Sequence, residues 1–92
     1  MDTERDIEAR LARKVREAGG EAYKFVSPGR SGVPDRLCVF PGGSVCFVEL
    51  KAPGRKPTIG QKAQIRRLRA LGCQVYVVDS KEGVDQLLEV YR

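Results

Sequence analysis

Asp35, Glu49 and Lys51 are charged residues at the ends of two otherwise apolar segments, 35–40 and 45–51, which are joined by Pro41-Gly42-Gly43-Ser44. The segments read as strands and the Pro-Gly-Gly-Ser between them as a hairpin turn. Side chains alternate along a strand, so Glu49 and Lys51 share a face and Leu50 points away; Val45 and Phe47 precede them on that face. If paired residue numbers sum to 84, Asp35 lies opposite Glu49. If they sum to 85, it lies opposite Leu50 and on the wrong face, and the sequence does not choose between the two. In the first register the two carboxylates repel unless one is protonated or a cation lies between them. Oxygen donors without histidine suit Mg²⁺ or Mn²⁺. With Lys51 alongside to hold a water or a phosphate oxygen, these are parts that can hydrolyse a phosphodiester without a covalent intermediate.

The rest of the composition narrows the chemistry. The 92 residues include no histidine, which excludes Ser-His-Asp hydrolysis, histidine-dependent nucleases and histidine-ligated metals. Cys38, Cys46 and Cys73 lie among apolar neighbours without CxxC spacing, so buried, reduced thiols are expected rather than a zinc site. The net charge of +5 is unevenly spread: residues 50–78 contain no acid, yet include Lys51, Arg55, Lys56, Lys62, Arg66, Arg67 and Arg69. Such a stretch either neutralises phosphates or forms a solvated helix face. No apolar run reaches the roughly 18 residues of a membrane span. The polar start, Met1-Asp2-Thr3-Glu4-Arg5-Asp6, does not suit a signal peptide, and a cytoplasmic protein is expected.

The elements that must position the charges can be read in order. Ile7, Leu11 and Val15 repeat at helical spacing over 3–18, stopped by Gly19-Gly20. Residues 21–26 alternate as a strand and 27–32 form a loop, followed by the hairpin and a second loop over 52–57. A helix is expected over 59–71 with Thr58 as its N-cap, then a strand over 73–78 and a last helix over 83–91 capped by Ser80. The order αβββαβα describes one α/β domain, 1–92, with a mixed sheet. Because the hairpin strands are apolar on both faces, helices should cover both sides.

Gly32-Val33-Pro34-Asp35-Arg36, Phe47-Val48-Glu49-Leu50-Lys51-Ala52-Pro53-Gly54 and then Gln61, in that order, resemble the VRR-NUC (virus-type replication-repair nuclease) family, a branch of the PD-(D/E)xK nucleases. The likeness extends over nearly the whole chain, from Ile7-Glu8 through Tyr23-Lys24 to Leu68-Arg69-Ala70-Leu71-Gly72. It implies that Asp35, Glu49 and the backbone carbonyl of Leu50 ligate Mg²⁺ or Mn²⁺, and that Lys51 orients or activates the attacking water. Glu8 would complete the metal site directly or through water, with Glu4 one turn earlier as the alternative. The resemblance also places Gln61 beside the site, although Thr58-x-x-Gln61 equally fits a capping box.

Lys24, Arg30, Arg36, Arg55, Lys56, Lys62, Arg66 and Arg69 form the expected DNA-binding set; for Lys24 and Arg30 a solvated surface is the equal alternative. The function implied is a structure-directed endonuclease, a homodimeric resolvase of four-way (Holliday) junctions. The alternatives are a flap- or nick-directed endonuclease and, outside enzymes, a basic DNA-binding module whose carboxylates are structural.

Overall fold

The apolar repeat of Ile7, Leu11 and Val15 winds into α1 (Glu4–Glu17) and is fully buried. Thr3 caps the helix through a reciprocal pair of bonds with Asp6. The structure, a computed structural model, describes residues 1–91. After α1 come β1 (Glu21–Lys24), β2 (Arg36–Val39), β3 (Val45–Leu50), α2 (Ile59–Ala70), β4 (Val75–Val78) and α3 (Lys81–Tyr91), the expected αβββαβα order.

The four strands form one sheet in the order β1-β2-β3-β4, antiparallel except for the parallel β3–β4 pair, which α2 connects. Cys38 pairs with Cys46 and Leu37 with Phe47, so partner numbers sum to 84. The turn enforces this register. Gly42 and Gly43 both adopt positive φ, and the Phe40 amide donates to the Ser44 carbonyl at 2.8 Å.

The register divides the sheet by parity. Ala22, Cys38, Cys46, Val48, Leu50 and Val78 face α1 and α3 and close the main core with Ile7, Leu11, Val84, Leu87 and Leu88. All three cysteines are free thiols, Cys38 and Cys46 buried and Cys73 partly so. On the opposite face α2 packs on β4, and Ile65 of the helix and Val75 of the strand are both buried. Only half of that face is covered, because α2 lies over the β4 side. Tyr23 and Val45 are exposed, and Leu37 and Val39 half-buried. Helices flank both sides as expected, but on this face α2 leaves the β1–β2 side open.

Several boundaries also differ from expectation: β1 ends at Lys24 rather than at 26, and β4 starts at Val75 rather than at 73. The last helix starts at Lys81, not at Gly83: the Ser80 hydroxyl accepts from the Gly83 amide and its carbonyl from the Val84 amide, so Gly83 belongs to the first turn. Asp35 and Lys51 each fall one residue outside a strand, although the Phe25 amide still donates to the Asp35 carbonyl at 2.9 Å. Among the described residues no helix is long and apolar enough to cross a membrane.

Leu11 is wholly buried between the sheet and α3, so Leu11→Ala is expected to cost about 3 kcal/mol in urea unfolding. Arg5→Ala, on the exposed side of the same helix, should stay within about 0.5 kcal/mol of wild type. Equal costs at the two positions would contradict the assigned core.

Candidate active site

Extending the hairpin register by one residue sets Asp35 opposite Glu49, on the face away from the main core. Glu49 is 1% exposed, the one charged residue among those described that is buried. The Lys51 ammonium lies 3.4 Å from its Oε2, and the Gln61 side-chain amide donates to that same oxygen at 2.8 Å. Oε1 is buried and has no hydrogen-bond partner among the described residues. Asp35 is held differently: its Oδ2 accepts from the Leu50 amide at 2.9 Å, which ties the start of β2 to the end of β3. Burial above all, and then the charge of Asp35, push the Glu49 carboxyl up to about 7 against the pull of Lys51; Glu4 adds a weaker upward push.

Gln61 reaches Glu49 because its helix starts there. Thr58 caps α2 by accepting from the Gln61 amide, and Gln61 Oε1 accepts from the Thr58 amide at 2.9 Å. With its oxygen spent on the cap, the side-chain nitrogen is directed at Glu49, so Gln61 serves cap and site together. The loop before β2 packs on this helix start. At Gly32, with φ +84°, an added Cβ would lie 2.9 Å from the Gly60 carbonyl oxygen. Only glycine fits there, a role the sequence hints at only through the Gly-rich loop.

A cleft of about 570 Å³ opens beside these groups between the start of α1 and the loop after β3, with Glu4, Lys51, Arg55 and Lys56 in its walls. Asp79 steadies that loop by accepting from the Gly54 amide at 3.3 Å. Among the described residues no three His, Cys, Asp or Glu side chains gather into a complete metal cage. Two opposed carboxylates and an unpartnered buried oxygen nevertheless fit a hard cation that draws its other ligands from water or substrate, as Mg²⁺ commonly does.

No family model matches the chain. A phage protein described as "Putative nuclease p44", from Acyrthosiphon pisum secondary endosymbiont phage 1, is 58% identical over 79 residues, spanning 86% of this chain and 85% of that protein. A solved VRR-NUC domain superposes with a TM-score of 0.90 at 34% identity, over 99% of this chain and all of that one. The chain belongs to the VRR-NUC family.

This VRR-NUC chain brings Asp35, Glu49, Lys51 and Gln61 together, and places Glu8 elsewhere. Glu8 pairs with Arg36, which also donates to the Ala22 carbonyl at 2.7 Å, whereas Glu4 lines the cleft and adds a weak upward push on Glu49. Leu50 contributes its amide to Asp35. Of the basic set, Arg55 and Lys56 line the cleft, and Arg30, Lys62 and Arg66 are exposed. Arg69 bends back to donate to the Val75 carbonyl at 2.6 Å. Lys24 and Arg36 pair across β1 and β2 on the α1 face, away from the carboxylates, so neither shares the surface on which they were expected to act. For Arg36 the signal was its place next to Asp35 on one strand, which sends the two side chains to opposite faces; for Lys24 the β1–β2 register was needed.

A carboxyl held near 7 in the folded chain, against its ordinary 4.5, keeps a proton that the unfolded chain has already lost. In cation-free protein, stability should therefore fall as pH rises from about 4.5 to about 7 and level off above, by on the order of 3 kcal/mol in all. The check is the melting temperature in chelator across pH 4.5–8.5, wild type minus Glu49→Gln, since the difference isolates this group. Parallel profiles for the two proteins would show that Glu49 titrates normally.

Proposed function

We propose that the protein is a divalent-cation-dependent endonuclease that hydrolyses DNA phosphodiesters, working as a homodimer on four-way junctions. The observation that carries the reading is Glu49, buried opposite Asp35 with one oxygen unpartnered and Lys51 beside the other. Asp35 and Glu49 would hold Mg²⁺ or Mn²⁺, with Glu4 at the cleft and the Leu50 carbonyl as further donors. Bound there, the cation would supply Lewis-acid polarisation of the phosphate and lower the pKa of water.

The chain's own residues account for the rest. Lys51 faces both the cleft and Glu49, where its ammonium can hold the attacking water or a phosphate oxygen and offset charge developing on the phosphate. Gln61 keeps Glu49 Oε2 fixed, so that the free Oε1 has one orientation. Arg55 and Lys56 line the cleft, and Lys62 and Arg66 extend positive charge along α2, a path for a phosphate backbone. The uncovered half of the sheet, around Tyr23 and Val45, supports self-association, because apolar surface of this kind marks interaction sites. A two-fold dimer presents two equivalent sites, which suits a symmetric four-way junction.

The test is cleavage of labelled four-way junction, flap, nicked duplex and intact duplex with Mg²⁺, with Mn²⁺ and with chelator. Junction should be cut in preference and only with cation. Asp35→Asn, Glu49→Gln and Lys51→Ala should each lower the rate by about a hundredfold or more while the fold survives. Sedimentation at micromolar concentration should show a dimer. A monomer that prefers flap or nicked substrates would replace the junction assignment, and cation-independent cleavage would overturn the catalytic reading.

A further inference from the structure

Three elements meet at one polar contact behind the site. Glu8 lies on α1, Arg36 opens β2, and Ala22 is in β1. Arg36 Nε donates to Glu8 Oε2 at 2.9 Å, while its Nη1 donates to the Ala22 carbonyl at 2.7 Å. The Arg36 side chain is only 13% exposed and that of Glu8 27%. A guanidinium engaged on two sides and largely withdrawn from water is poorly placed to bind a phosphate. A carboxylate engaged by that guanidinium is already compensated and has little to gain from a cation.

Each partner is nevertheless adjacent to a site residue. Arg36 follows Asp35 directly, and alternation sends the two side chains to opposite faces of the sheet. Glu8 is one turn after Glu4 on α1, so the contact that holds Glu8 also sets where Glu4 stands at the cleft. We propose that Glu8 and Arg36 are positioning residues, a clamp that fixes Asp35 and Glu4 relative to each other, and that neither ligates the cation nor binds DNA. The cation-binding part rests on the reading under Proposed function. The geometric part does not.

The closing experiment uses Arg36→Gln, Arg36→Lys and Glu8→Gln, and measures Mn²⁺ affinity by calorimetry and amide hydrogen exchange without cation. A clamp predicts that Arg36→Gln weakens Mn²⁺ binding by about tenfold or more although Arg36 touches no ligand, with Arg36→Lys in between. Glu8→Gln, whose amide oxygen can still accept from Arg36, should bind Mn²⁺ nearly as wild type does. If Glu8 were a ligand the pattern would invert: Glu8→Gln would lose the ion, and Arg36→Gln would leave affinity intact or raise it. If Arg36 bound DNA, its loss would weaken DNA binding and flatten the salt dependence with Mn²⁺ affinity unchanged. Either result overturns the proposal. Hydrogen exchange keeps the test independent of the ion. In Arg36→Gln the Leu50 amide, bonded to Asp35, and the first turn of α1 should exchange faster relative to the Cys46 amide of the core; unchanged ratios would also overturn it. A wild type that binds no Mn²⁺ would instead defeat the reading under Proposed function, leaving the exchange ratios to decide the clamp.

Discussion

Taking a carboxylate out of water is unfavourable by several kcal/mol unless its charge is compensated or its proton kept, and Glu49 is taken out of water almost completely. Both of its close polar neighbours, Lys51 and Gln61, converge on one oxygen and leave the other without a partner. Asp35 across the strand pair makes the ionised state less favourable still. The arrangement keeps a high affinity for positive charge in reserve: a proton satisfies it below about 7, and a hard cation is suited to satisfy it above.

Much of the architecture is what this arrangement requires. The 84 register is needed to oppose the two carboxylates, and the positive φ of Gly42 and Gly43 is needed for the turn that sets that register. The cap of α2 aims Gln61, and the bare Cα of Gly32 lets the preceding loop reach the helix start. Packing on the opposite face offsets the cost. There α1 and α3 bury an apolar layer of Ile7, Leu11, Val15, Val48, Leu50 and Val84, while the site occupies the thinly covered side. Core and site thus use alternate residues of the same strand, which is why Val48, Glu49 and Leu50 can be neighbours in sequence and still have different roles.

The sequence was informative where a local rule decides. The order of elements, the Thr58 cap, the hairpin turn and the Asp35–Glu49–Lys51 set all follow from spacing and residue type. It was silent on the register, because both hairpin strands are apolar on both faces and either pairing buries similar side chains. For the last helix the Ser80 cap was legible but the expected start at Gly83 was two residues late, since the helix begins at Lys81 directly after its cap. Glu4 and Glu8 share a helix face, so periodicity cannot separate them; what separates them is Arg36, whose reach across to α1 is a tertiary fact. Coverage of the sheet depends likewise on where α2 docks, and its sequence does not reveal that it favours the β4 side.

The central claim is that Glu49 waits for a cation with a proton in its place. Calorimetric titration of Mn²⁺ at pH 6, repeated in buffers of different ionisation enthalpy, counts the protons displaced per ion bound. A carboxyl held up to about 7 predicts release of close to one proton per ion from wild type and almost none from Glu49→Gln, which should also bind far more weakly. Binding of Mn²⁺ without proton release, at equal affinity in the two proteins, would contradict it.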